Sequence, residues 1–122
     1  MKKIVLLYNF SEERLSKVKR AILPLKAVPK VVGPDEYGQK LGYLIGEEGY
    51  LQEENPQSEA FKDEMLVMSG FTGSDIDMLI FSLKKHGAGR VALKAVVTET
   101  NIGWTSSQLH SAIEAEHQAM KR

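Results

Sequence analysis

The chain has 122 residues, a usual size for one domain, and its 16 Lys and Arg residues balance 16 Asp and Glu residues. The absence of cysteine excludes disulfides, thiolate catalysis and cysteine-ligated zinc, and is compatible with a reducing cytosol. A net charge of zero argues against a dedicated nucleic-acid-binding protein, because such proteins usually carry an excess of Lys and Arg on one face.

The first part of the chain predicts a strand, a helix, a second strand and a shorter helix. Residues 4–8 are continuously apolar, as expected of a strand that is covered on both faces. Ser11 is a helix-capping residue, and its helix is expected to end near Leu23, since a proline follows. Residues 28–32 predict the second strand, and residues 34–45 predict a helix that begins with a proline in its first turn.

The N-terminal apolar run also bears on localisation. Residues 4–8 are too short for the core of a signal peptide, and acids follow at Glu12 and Glu13. No apolar stretch approaches the ~20 residues that a membrane span needs. We therefore expect a cytoplasmic protein with no membrane partner.

An acidic linker, residues 46–63, separates the two halves. Residues 46–64 carry a net charge of −6, whereas residues 1–45 carry +5. We expect a solvated loop rather than a binding segment. Three side chains are expected to hold it against the body of the protein: Tyr50, Leu51 and Phe61.

The second half repeats the order of the first. Residues 65–69 predict a strand, and Thr72, followed three residues later by an acid, caps a helix that stops at Gly87. Residues 91–97 predict the fourth strand, and Thr105 opens the last helix with a second capping box.

The two halves align at an offset of 61 residues, so that Phe10-Ser11 matches Phe71-Thr72 after each apolar strand. The matched order of strand, Phe-hydroxyl pair and helix face indicates a duplication. We predict one domain, residues 1–122, built from two β-α-β-α repeats: repeat 1 at about 1–45, the linker at 46–63 and repeat 2 at about 64–122.

The predicted fold class is α/β, with a four-stranded parallel sheet of order 2-1-3-4 and helices on both faces. The connections of about twenty residues favour parallel crossovers. Pro29, Lys30 and Lys94 place the second and fourth strands at the edges. A ferredoxin-like sheet is the alternative, but it needs a simple connection between the second and third strands, where a helix and an acidic loop intervene.

Ligands in open parallel sheets bind beyond the carboxyl ends of the strands, where the strand order reverses. The parallel arrangement would bring Phe10 and Phe71 together at that point. The candidate ligand-binding residues are Asn9, Phe10, Ser11, Gly70, Phe71, Thr72, Thr98, Thr100, Asn101, Trp104 and Thr105. Helix N-termini there suit an anion. Helix capping and turn formation also account for these residues without a ligand, and there is no glycine-rich phosphate loop.

Two further groups of residues have both a functional and a structural explanation. His110, Glu114 and His117 share one helix face at spacings that suit a divalent metal, but such trios on exposed helices are usually solvated and no fourth ligand is evident. The basic first helix, with Arg14 and Lys17, is better explained as a solvated face than as a nucleic-acid contact. We expect no catalytic residue, no metal and no cofactor.

The second half contains four recognisable segments: residues 65–71 (MLVMSGF), 90–97 (RVALKAVV), Thr98-x-Thr-Asn101 and Trp104-Thr105. Through these segments it resembles a small bacterial family known as a domain of unknown function, and the first half is similar only loosely. The resemblance implies a bacterial, cytoplasmic protein. It brings no activity, cofactor or catalytic residue.

The leading hypothesis is a non-catalytic binding or regulatory module, with a homo-oligomer as an additional hypothesis. The first alternative is an enzyme or sensor for a small anionic ligand, phosphorylated or carboxylated. The second alternative is weak nucleic-acid binding through the basic first helix.

Overall fold

The computed structural model describes residues 2–120 and has an α/β fold. The strands are β1 (Ile4–Tyr8), β2 (Val28–Val32), β3 (Met65–Ser69) and β4 (Leu93–Val96). The helices are α1 (Glu12–Ile22), α2 (Leu41–Leu44), α3 (Gly73–Lys85) and α4 (Ser106–Met120), with 3₁₀ turns at Leu23–Leu25 and Pro34–Glu36. The sequence of elements therefore follows the predicted β-α-β-α order twice.

The predicted helix starts are confirmed by hydrogen bonds. The hydroxyl of Ser11 accepts from the backbone N–H of Arg14 at the start of α1. Thr72 and Asp75 form a reciprocal capping box at α3. α3 ends at Lys85, His86 is its C-cap residue, and Gly87 follows with φ +80°, as a left-handed helix stop requires.

The helix predicted over residues 34–45 is much shorter than expected. It consists of the 3₁₀ turn Pro34–Glu36 and the single turn of α2. Glycines explain the difference, because Gly weakens a helix and here allows close packing. A Cβ added to Gly42 would lie 2.5 Å from the ring of Tyr50, and one added to Gly38 would lie 2.7 Å from Pro56.

The sheet is mixed, with the predicted strand order β2-β1-β3-β4. β1 pairs in parallel with β2, and β3 in parallel with β4. β1 and β3, however, are antiparallel, with Ile4 opposite Ser69 and Tyr8 opposite Met65. The prediction of an entirely parallel sheet is therefore wrong at its central pair. Both central strands are apolar in either direction, and the long connection between β2 and β3 can return the chain to either end of the sheet.

The inversion of β3 places α1 and α3 on the same face of the sheet. Crossovers between parallel strands are right-handed. Because β3 runs opposite to β1 and β4 lies on its outer side, the right-handed crossover from β3 to β4 places α3 on the face that already carries α1. Val5 and Leu7 of β1 accordingly share one core with α1 and α3. Leu6 and Tyr8 face the second core, which α2 and α4 cover. No helix within residues 2–120 combines the length and the apolar character that crossing a bilayer requires.

The acidic linker packs against the second core more closely than expected. The ring of Phe61 stacks on that of Tyr37 at 4.4 Å between centroids. The side-chain amide of buried Gln39 donates to the carbonyl of Glu53 and accepts from its N–H. Leu51, which was expected to help anchor the linker, is instead 82% exposed.

Candidate functional site

The predicted site residues are divided between opposite ends of the sheet. Asn9, Phe10 and Ser11 follow β1 at one end, whereas residues 70–72 follow β3 at the other. Because β3 and β4 are parallel, the loop of residues 98–105, which follows β4, lies at the same end of the sheet as residues 70–72. The predicted meeting of the two Phe-hydroxyl pairs at one crevice is therefore wrong, and its cause is the antiparallel central pair.

The residues after β1 are engaged in holding the linker and the first helix. Asn9 has φ +63°, and its amide donates to the carbonyls of Phe61 and Asp63 at 2.9 and 3.0 Å. Its amide oxygen accepts from the hydroxyl of Tyr37. The ring of Phe10 packs against the first core, beneath the guanidinium of Arg14 at 6.0 Å. The side-chain amide of Asn9, one of the predicted ligand-binding groups, is therefore bonded within the chain.

The residues after β3 make comparable contacts. The carboxylate of Asp75 accepts from the backbone N–H of Thr72 at 2.9 Å and from the ammonium of Lys3 at 3.0 Å. These two bonds hold the pKa of Asp75 below its usual range. Phe71 packs on the first core. The N-terminus of α3 thus already has a carboxylate of the chain bound to it.

The loop of residues 98–105 is closed by its own hydrogen bonds. The N–H of Thr98 donates to the side chain of Asn101 at 2.8 Å, and Asn101 returns a backbone bond to the Thr98 hydroxyl. Thr105 and Gln108 form the predicted second capping box. Trp104 packs on the second core, and its carbonyl accepts from the N–H of Leu41. Thr100, also predicted at the site, is exposed at the tip of the loop.

Beyond the carboxyl ends of β3 and β4 lies an open cavity of about 810 Å³, the β3–β4 cleft. Two loops form its walls, one after α2 and one after β4. The N–H of Gly42, in α2, donates to the carbonyl of Ile102 and so joins α2 to the second loop. Two of the predicted site residues, Gly70 and Thr98, line it.

The β3–β4 cleft has an apolar floor and a charged rim. Four half-buried aliphatic side chains contribute to the floor: Ile4, Ile45, Val97 and Ile102. Lys2, Glu47 and Glu99 are exposed on the rim, so acids outnumber bases there. The sequence could not locate this cleft, because it depends on the approach of two loops that are about fifty residues apart in the chain.

A second polar cluster lies where the linker meets α4. The Nε2 atom of His110 is 2.8 Å from a carboxylate oxygen of Asp63 and 3.5 Å from one of Glu114. His110 is only 7% exposed, so the expectation that it lies on a solvated face is wrong. Sequence reasoning found His110 and Glu114 but missed Asp63, whose only sequence signal is its place in the acidic linker.

A buried hydroxyl pair supports the second core. The hydroxyls of Tyr8 and Ser106 lie 2.7 Å apart, and both residues are fully buried. Burial raises the pKa of Tyr8, and burial also raises the pKa of Tyr37. Neither residue is among the described residues that line the β3–β4 cleft.

The basic face of α1 is partly neutralised by neighbouring groups. Arg14 pairs with Glu64, beside the acidic linker, and also donates to the carbonyl of Ala88. Lys17 lies 3.7 Å from Glu13 on the same helix. These contacts reduce the positive field that a nucleic-acid phosphate would meet.

Comparison with known proteins supports the resemblance in the second half. Residues 64–120 match the family described as Domain of unknown function (DUF3783). The matched segment begins one residue before β3 and ends with α4, so it covers the second β-α-β-α unit. Neither the curated proteins nor the solved structures gave a significant match.

Proposed function

We propose that the chain is a non-catalytic binding module of the bacterial cytoplasm, and that the β3–β4 cleft is its binding site. The observation that carries the proposal is the cleft itself. Its volume of about 810 Å³ lies within the range of small-molecule sites, and apolar side chains form its floor. It also lies beyond the carboxyl ends of two parallel strands, which is the favoured ligand position in α/β sheets.

The net negative charge of the rim favours a cationic ligand over an anionic one. Among the described residues that line the opening, Glu47 and Glu99 are acidic and Lys2 is basic. A ligand with an aliphatic body and a cationic end would bury the body on the floor and place its charge beside the two carboxylates. An anionic ligand would approach the rim against a net negative charge.

The chemistry of the lining supports binding rather than catalysis. The hydroxyl of Thr98 accepts a backbone bond within its own loop, and the rim carboxylates are exposed. No histidine is among the described residues that line the cleft. A nucleophile activated by a neighbouring base, the usual requirement for covalent catalysis, has no counterpart in this lining.

A matched pair of probes tests the proposal. Hexylamine and hexanoate have the same aliphatic chain and opposite charges, and each is titrated while backbone amide resonances are followed by NMR. We expect hexylamine to shift the amides of Gly70, Thr98 and Ile102 at concentrations at which hexanoate does not. The variant Glu47→Lys/Glu99→Lys should reverse this preference, because it makes the rim positive.

The control variant is Glu54→Lys/Glu116→Lys, which changes the net charge equally at exposed acids outside the cleft. It should retain the preference for hexylamine. A preference of the unchanged protein for hexanoate, or for nucleotides and sugar phosphates in the same assay, would support the anionic alternative instead. Shifts confined to residues outside the cleft would contradict the proposed site.

A further inference from the structure

Three potential metal ligands converge where the linker joins the second repeat. Asp63 is the last residue of the acidic linker, while His110 and Glu114 lie one turn apart on α4. One donor atom from each residue lies within 4.8 Å of the other two. Both carboxylates approach the same ring nitrogen, Nε2 of His110.

The two separations from the Nε2 atom of His110 are close to those of a tetrahedral site. Ligands at ~2.0–2.1 Å from a zinc ion lie about 3.3–3.4 Å from one another. The Glu114 oxygen is 3.5 Å from Nε2, which agrees with that value, and the Asp63 oxygen, at 2.8 Å, would move outward by roughly half an ångström. A protonated Nε2 has one hydrogen to donate, although two carboxylates approach it. A metal ion would instead bind the nitrogen and both carboxylates at once.

The imidazole is held in place without a metal. Its ring stacks on that of Phe61, with centroids 4.1 Å apart and an interplanar angle of 9°. The side-chain amide of Asn9 donates to the carbonyls of Phe61 and Asp63, which holds this end of the linker beside the imidazole. The carboxylate side chains of Asp63 and Glu114 are 55% and 41% exposed, so an ion can reach them from solvent.

We propose that Asp63, His110 and Glu114 bind a divalent transition metal, with Zn²⁺ as the preferred ion, and that the bound metal clamps the linker to α4. His117 is suited to the fourth position, because it lies one turn beyond Glu114. The side chains of Glu114 and His117 line an adjoining cavity of about 310 Å³, together with Asp63 and Glu64. Arg90 also lines this cavity and Arg14 pairs with Glu64, so the three acids still exceed the two positive charges beside them. Borderline ions are favoured because the donor set joins an imidazole with carboxylates.

Untagged, chelator-treated protein should bind one equivalent of Zn²⁺ in a calorimetric titration. Co²⁺ should give the visible absorption of a tetrahedral site. The chain has no cysteine, so no thiolate can produce either signal. Glu114→Gln and Asp63→Asn should each weaken Zn²⁺ binding by about tenfold or more, since each removes a charged ligand. The bound metal should also slow amide hydrogen exchange in residues 57–63.

His86→Ala is the matched control, because His86 lies at the end of α3 and bonds within that helix. This variant should bind Zn²⁺ as tightly as the unchanged protein. His110→Ala also removes the stack on Phe61, so Glu114→Gln, at a half-exposed position, provides the test that is independent of folding. Absence of one-equivalent binding, or unchanged affinity in Glu114→Gln and Asp63→Asn, would overturn the proposal.

Discussion

At the residue scale, the positions directly after the two central strands adopt the same unusual conformation. Asn9 follows β1 with φ +63°, and Gly70 follows β3 with φ +78°. They are also equivalent in the 61-residue alignment. Asn tolerates the left-handed region and here uses its amide to hold the linker. At position 70 only glycine fits, because an added Cβ would lie 2.5 Å from the carbonyl oxygen of Lys2.

Gly70→Ala should therefore destabilise the protein. The substitution places a Cβ against backbone and in a left-handed conformation, so we expect a loss of more than about 1 kcal/mol in the free energy of unfolding. Urea denaturation followed by circular dichroism measures this change.

Gly73→Ala is the matched control at the first residue of α3. A Cβ there meets open space, and Gly73 does not have positive φ. Since alanine restricts the unfolded chain and favours the helix, stability should be unchanged or rise by about 0.4–1 kcal/mol. Equal losses in the two variants would contradict the packing described at Gly70.

At the element scale, the N-terminus of α3 combines a capping box with a tertiary ion pair. Asp75 accepts from Thr72 within the helix and from Lys3, which precedes β1. The carboxylate therefore joins the N-terminus of α3 to the start of β1. Its lowered pKa reflects these bonds to the charged form.

The pH dependence of stability follows from the sign of this shift. A carboxyl with a lower pKa in the folded state stabilises the protein at pH values above its unfolded pKa of about 3.9. This contribution is lost as the pH falls through the lower, folded-state value. Asp75→Asn should thus reduce stability at pH 7 and flatten the acid limb of the stability profile. Asp77→Asn, at an exposed position on the same helix, should leave the profile unchanged.

Elements could be predicted because their signals are local. Ser11, Thr72 and Thr105 are each followed closely by the groups that complete a cap, and all three open helices as predicted. The direction of β3 could not be predicted in this way. Val5, Leu7, Leu66 and Met68 fill one core in the observed pairing, and an apolar strand would be buried equally in the reverse direction.

The direction of β3, which could not be predicted, also determines which of the predicted site residues come together. Gly70 and Thr98 are predicted site residues that line the β3–β4 cleft, because their position depends on β3 and β4 alone. The residues after β1 lie at the other end of the sheet, because their position depends on the central pair. Asp63 was not grouped with His110, since their contact joins residues 47 positions apart.

At the scale of the whole molecule, equivalent positions of the two halves meet at the centre. Leu6 lies directly opposite Val67 in the sheet. On the helical layer, the hydroxyl of Ser82 donates to the carbonyl of Ala21 at 2.7 Å. Each pair is separated by 61 residues, the offset of the sequence alignment. A pseudo-twofold axis perpendicular to the sheet would pass through both contacts, and we propose that a duplication produced this arrangement.

The antiparallel pairing of β1 and β3 determines which residues can share a site. A pair of engineered cysteines tests it directly in a chain that has none of its own. Ile4 and Ser69 are opposite in the observed register, and directly opposed residues have Cα separations of about 4.5–5.5 Å, within the range for a disulfide. In a parallel arrangement with the two repeats in register, Ile4 would instead face Met65.

The decisive measurement is the extent of disulfide formation in folded protein under mild oxidation, quantified by mass spectrometry after thiol labelling. Ile4→Cys/Ser69→Cys should form the cross-link readily and lose this ability in urea. Ile4→Cys/Met65→Cys should not form it, because four residues of strand separate those positions by about 13 Å. Cross-linking of the second pair in folded protein, with the first pair remaining reduced, would contradict the antiparallel arrangement and the location of the cleft that follows from it.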